Sequence, residues 1–226
     1  MLFGQNTNVY KRGHVLHRIS GGAVSSFYKN NPYHTTGTKS LIGYCGSYKA
    51  EIVFDKKTNL LIGIDYVSQG ASFNGYYSSK GYTYLFDKTF SYRHELRMQE
   101  LQLPIALKVA FKSEKDHFYS SYFFIGAGAR YIHKSYAVVI SDSTGITVFD
   151  GYTPMNFEYS VGSNRFNAFL HGGLGLQHNF RDSGGALFFE MTYKYGLSRI
   201  HYTGSENSND LYIKDAHLEF TVGFRF

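Results

Sequence analysis

The residues best equipped for chemistry are ten histidines, one cysteine, 23 Lys and Arg, and 17 Asp and Glu in a chain of 226. No two histidines stand in H-x-x-x-H spacing and Cys45 is alone, so the sequence offers no ligand set for zinc. Acid, base and nucleophile types gather in two polar stretches, with Asp87, His94 and Glu95 in one and Ser141, Asp142 and Ser143 in the other. Their spacing matches no hydrolase arrangement. No catalytic group, metal or cofactor is expected. The remaining charges follow another rule. Arg18, Lys49, Lys108, Arg130, Lys194 and Arg225, with Glu51, Asp65, Glu100, Glu190 and Glu219, fall at alternate positions in runs that are otherwise apolar, and His171 and His217 share that phase. Six cations and five anions on one side of a set of strands predict paired ions filling an interior, with a proton or solute path as the alternative.

The elements that position these charges are strands. Leu218, Phe220, Val222, Phe224 and Phe226 share one face of the last run, and His217, Glu219, Thr221, Gly223 and Arg225 the other. The same oily and charged alternation occurs in 187–197, 166–177, 119–131, 100–111 and 42–54, and more weakly in 60–68. A Gly- and Ser-rich run, 16–27, completes an even count and makes eight strands. Aromatics reach 18% of the residues, too many for a disordered chain. No stretch has the ~20 apolar residues of a spanning helix. The formal charge of +6 is scattered, its longest clusters being Lys11-Arg12 and Lys56-Lys57, so a nucleic-acid face is not expected.

Period two also describes soluble sandwiches, but two features favour a lipid-facing cylinder. The non-oily face mixes small and ionisable residues in mid-strand. The connections alternate short (55–59, 112–116, 181–185) with long (29–40, 69–96, 134–164, 198–215). A sheet in hydrocarbon must close on itself to satisfy its backbone. The expected fold is all-β: an eight-stranded antiparallel up-and-down transmembrane β-barrel in a bacterial outer membrane, with short periplasmic turns, long extracellular loops and periplasmic termini. Residues 14–226 form the barrel and 1–13 a tail, where Met1-Leu2-Phe3-Gly4-Gln5 looks like a leader remnant. Tyr44, Tyr48, Tyr119, Tyr131, Tyr193 and Tyr195 fall on outward faces, and those nearest strand ends suit the interfacial girdles. Cys45 reads as a small filler of the inner face. Pro104 lies inside a strand, where it cannot donate a ladder hydrogen bond, and predicts a bulge or widened pair.

The second long link carries Phe73, Tyr76, Tyr77, Tyr82, Tyr84, Phe86, Phe90 and Tyr92. They could stabilise a hairpin projecting past the membrane, contact a protein partner, or do both. Residues 138–140 and 146–149 could pair in a similar hairpin.

Glu100-Leu101-Gln102-Leu103-Pro104-Ile105-Ala106-Leu107-Lys108, Gly63-Ile64-Asp65-Tyr66-Val67-Ser68-Gln69-Gly70, Gly126-Ala127-Gly128-Ala129-Arg130-Tyr131, Tyr195-Gly196-Leu197-Ser198 and Gly223-Phe224-Arg225-Phe226 stand in an order that resembles the PorT-like outer-membrane β-barrel proteins of bacteroidetes. Asp65 stands near where that family more usually has Glu. The resemblance covers about 16–226. It implies an eight-stranded barrel in outer-membrane lipid, inserted by the barrel-assembly machinery, with Phe220, Val222, Phe224 and Phe226 as the terminal assembly signal. It implies no catalytic or cofactor residues, and for some relatives a role in type IX secretion. The expected function is a non-enzymatic accessory or structural subunit that engages envelope proteins through its long loops. The alternative is a narrow channel or transporter for small or apolar solutes.

Overall fold

A computed structural model describes residues 12–29, 38–78, 89–112, 118–141, 147–149, 165–180, 185–198, 200–202 and 211–226. The strands are β1 (Val15–Lys29), β2 (Thr38–Val53), β3 (Thr58–Ser78), β4 (Thr89–Ala110), β5 (Tyr119–Ser141), β6 (Thr147–Phe149), β7 (Phe166–Asn179), β8 (Ala186–Gly196), β9 (Ile200–Tyr202) and β10 (Leu211–Arg225). Eight of them run antiparallel in the order β1-β2-β3-β4-β5-β7-β8-β10, and β10 pairs back onto β1. This is a closed eight-stranded barrel, as the alternation predicts. The seam finishes with reciprocal backbone bonds between His17 and Phe226, at 2.8 and 2.9 Å. Short β6 lies against β5, and β9 against the start of β10.

Alternation sets the two surfaces. Leu101, Leu103, Ile105 and Leu107 are exposed on β4, while Gln102, Ala106 and Lys108 between them are buried. β8 alternates without a break. The exposed face is apolar on every barrel strand and forms the belt that meets hydrocarbon.

Two of the long links are in part the projecting hairpins that the sequence offers. The link at 69–96 is largely strand, because the β3 to β4 ladder runs on to Ser78↔Thr89. Likewise β5 continues to Ser141, and Val139 pairs with Phe149 of β6. The sequence pattern leaves the bounds of these extensions open because the apolar outward series stops while the backbone ladder does not. Asp215, counted with the last link, lies inside β10.

Pro104 leaves the β4 to β5 register intact opposite Gly128. On the β3 side Ile62↔Ile105 and Asp65↔Gln102 keep one register, but the two rungs between them, where Gly63 and Ile64 meet Pro104 and Leu103, are not closed. A proline without an N–H widens the pair in this way. The bulge itself lies farther along, between Gln99 and Glu100.

Candidate functional site in the barrel lumen

Inward positions bring the charged residues together in two groups. Near the short turns, Glu51 is the hub. Lys108 Nζ lies 2.8 Å from its Oε1, Arg18 Nε 3.6 Å from its Oε2, and Arg225 Nη1 3.7 Å from Oε1. Asn59 donates to the same carboxylate at 2.5 Å. Arg18 also reaches Glu190 at 2.7 Å, and Tyr122 donates to that carboxylate at 2.8 Å. The guanidinium of Arg18 stacks 3.9 Å over Phe188, and the ammonium of Lys108 sits 4.3 Å over Tyr122.

Toward the long loops, Lys194 is held by Asp65 at 2.8 Å, Glu219 at 2.9 Å and the amide oxygen of Gln102 at 2.7 Å. Lys49 approaches Asp65 at 3.7 Å, and His217 Nε2 lies 3.1 Å from Glu219. Arg130 forms a two-pronged pair with Asp215 and lies 3.7 Å from Glu100. Gln69 and Gln102 donate to Glu100 at 2.8 and 2.9 Å. Every charged residue singled out for the lumen is buried except Lys49, whose side chain is 12% exposed.

Two placements depart from the sequence reading. His171 faces inward but makes no ion pair among the described residues; its Nε2 donates to the Ile105 carbonyl at 3.3 Å, between the rings of Phe124 and Phe169. Asp215 joins the lumen although the sequence pattern counts it with the last link; its odd number puts it in phase with His217 and Glu219. With Asp215 included, six cations meet six carboxylates in the lumen among the described residues.

The rest of the lumen is filled by aromatic rings over glycines. Tyr122 stands opposite Gly175, Phe124 opposite Gly173, Phe169 opposite Gly128, and Phe188 opposite Gly223, each as a direct cross-strand pair. A Cβ on Gly175 would lie 2.1 Å from the Tyr122 ring, and one on Gly223 2.3 Å from Phe188. Glycine is required there because the neighbour's ring occupies the space. Leu61, Ala106, Ala110, Tyr122 and Phe124 form one apolar cluster. Cys45 packs with Val24 and Val67. Eight-stranded barrels have room for side chains and little else.

The aromatic link divides. Phe73, Tyr76 and Tyr77 lie on β3 and Phe90 and Tyr92 on β4, whereas Tyr82, Tyr84 and Phe86 lie outside the described residues. Phe220, Val222, Phe224 and Phe226 are all exposed on the outer face of the last strand, and Phe224 and Phe226 stack with centroids 6.2 Å apart. Among the described residues no group of His, Cys, Asp and Glu could hold a metal ion.

Solved structures similar in fold include OprG of Pseudomonas aeruginosa (14% identity, 96% of this chain and 97% of that one, TM-score 0.46). Ail of Yersinia pestis is similar over 96% of this chain and all of its own, at 15% identity and TM-score 0.40. Neisserial surface protein A is similar over 92% of this chain and 95% of its own, at 11% identity and TM-score 0.46. No curated protein matches the chain. The sequence does match a family, the outer membrane protein beta-barrel domain, over residues 3–202. A closed barrel with an apolar outer belt and an ion-filled interior agrees with that match, and the chain belongs to the outer membrane protein beta-barrel domain family.

Proposed function

We propose that this outer-membrane barrel is a non-enzymatic, non-conducting accessory or structural subunit that engages another envelope protein through the sheet extending beyond the barrel on β3, β4 and β5. The observation that carries this reading is the inequality of the walls. β3, β4 and β5 have 21, 22 and 23 residues and remain paired beyond the barrel, whereas β7 and β8 have 14 and 11. A strand of roughly 9 to 11 residues already spans the bilayer, so one wall carries a surplus. The paired strands include Phe73, Tyr77, Phe90 and Tyr92, and aromatic residue types are enriched at protein contacts. The long ends would face outward and the termini the periplasm. The PorT-like resemblance makes a secretion complex a natural setting.

The lumen supports the non-conducting part of the reading, because its ions are matched and its spaces filled. Reconstituted protein in planar bilayers should show no steady pore; a stable conductance of porin size would favour the channel reading instead. For the partner, 74–93 should be replaced by an Asn-Gly turn, which closes the hairpin at Phe73↔His94. The shortened barrel should still migrate as a folded species on unheated gels but lose envelope proteins that co-purify from native membranes. Retention of those proteins would overturn the proposal.

A further inference from the structure

Two partners of Glu51 stand in a relation that ion pairing alone does not use. Asn59 of β3 and Lys108 of β4 are directly opposite each other, and both side chains turn into the lumen. Both reach one oxygen: Nδ2 of Asn59 donates to Glu51 Oε1 at 2.5 Å, and Nζ of Lys108 donates to it at 2.8 Å. An amine, a carboxamide and a carboxylate therefore converge on a single atom. Water is kept from them. Glu51 and Lys108 have no exposed surface, and Asn59 is 3% exposed. The Tyr122 ring lies 4.3 Å from the ammonium, and Leu61 and Ala106 fill the next inward rung.

The carbonyl oxygen of the same amide supplies a separate observation. Asn59 Oδ1 is buried and accepts no hydrogen bond among the described residues. A buried carbonyl without a donor is unfavourable, and turning the amide about its last side-chain bond offers that oxygen to Glu51 once the carboxyl carries a proton. Lys108 can supply the proton, since its ammonium already donates to Oε1. Passing it on leaves a neutral amine beside the amide carbon, which is what nucleophilic attack by lysine requires.

We propose that Lys108 and Asn59 join in an intramolecular isopeptide bond, with Glu51 as the catalytic acid and base. Nζ of Lys108 attacks Cγ of Asn59 and forms the Nζ–Cγ bond, while Glu51 lends a proton to Oδ1 and takes it back as the tetrahedral carbon collapses. One hydrogen of the ammonium stays on the new amide nitrogen. Glu51 carries the others to Nδ2, which leaves as ammonium when the Cγ–Nδ2 bond breaks. An ammonium and an amide become an amide and an ammonium, so the step needs no oxidant, reductant or co-reactant. The guanidiniums of Arg18 and Arg225, 3.6 and 3.7 Å from Glu51, remain as its counter-ions once the ammonium of Lys108 is consumed. The bond ties β3 to β4, whose ladder runs on past the barrel, near their turn-side ends.

The test follows the bond by mass spectrometry while the full-length chain folds. Trypsin spares an acylated lysine, so the linked protein should yield residues 58–80 joined to 98–112 through Lys108, lighter than the two peptides together by one ammonia. Chain dissolved in urea should give linear peptides alone. The branched peptide should appear after the same chain folds into phosphatidylcholine vesicles and should become the main product. Glu51→Gln keeps both reactants and should slow the bond by at least about 100-fold, the usual loss when a general acid–base is removed. Lys108→Arg should give no branch. Folded wild type that yields linear peptides alone, with Asn59 intact or hydrolysed to aspartate, would overturn the inference. So would a branch already present in urea, or one formed by folded Glu51→Gln at the wild-type rate. The wild-type time course decides the matter even where a variant does not fold.

Discussion

The two ion groups of the lumen use the same side-chain types in opposite proportion. Near the turns, Arg18, Lys108 and Arg225 surround two carboxylates, Glu51 and Glu190; toward the loops, Lys49, Arg130 and Lys194 face four, Asp65, Glu100, Asp215 and Glu219. The first group has one cation too many and the second one anion too many, so only the whole lumen is neutral. Both use the same supports. Aromatic faces lie 3.9 and 4.3 Å from the turn-side cations Arg18 and Lys108 and 5.5 Å from Lys194, and amides serve each group, Asn59 and Gln177 near the turns and Gln69 and Gln102 toward the loops. On β3 and β4, Leu61 and Ala106 lie one inward rung beyond Asn59 and Lys108 and two short of Asp65 and Gln102, and separate the groups, whereas on β1 and β2 Arg18 and Lys49 stand directly opposite each other. A narrow barrel can thus bury many charges if each end has its own hub.

The hub at Glu51 is the most sensitive point. Glu51→Gln leaves three buried cations around Glu190 alone and should cost about 3–5 kcal/mol, read from urea unfolding in lipid vesicles. Lys194→Met strips the loop-side carboxylates of their main cation and should cost a similar amount. If the groups are independent, the double variant should equal the sum of the singles to within about 0.5 kcal/mol. A larger coupling would break the division into two groups. Gly175→Ala, which drives a Cβ into the Tyr122 ring, should cost about 1–3 kcal/mol, whereas Gly21→Ala, whose Cβ would meet its nearest neighbour at 3.6 Å, should cost far less. Equal losses would mean that rings do not set the glycine positions.

The smallest effect belongs to the β2 to β3 turn, outside both groups. Asp55 accepts bonds from the backbone N–H groups of Lys57 and Thr58 at 2.7 and 2.8 Å, which hold its carboxyl below the ordinary value. The folded value lies below the unfolded one, so this stabilisation is present above the ordinary carboxylate range and fades as pH falls through the folded value. Asp55→Ala should remove that slight acid dependence and leave unfolding at neutral pH close to wild type, given the exposure of the turn.

Strand alternation is a local property, so the sequence by itself determined which residues face lipid and which face the interior. It placed Arg18 inward even in a Gly- and Ser-rich run, and it predicted the closed barrel. It offered projecting hairpins at 69–96 and 138–149, which the ladders bear out, but not their bounds, because polar Glu95 and Arg97 occupy outward positions there and alternation of apolar residues reports lipid contact rather than strand. The pairing of charges was decided only by tertiary structure. Sliding a strand by two residues preserves both faces while changing every neighbour, so period two cannot choose the register that brings Arg18 to Glu190 across 172 positions or sets Phe188 over Gly223. Asp215 shows both sides: its phase was legible from His217 and Glu219, but its partner Arg130 became visible only once the cylinder closed.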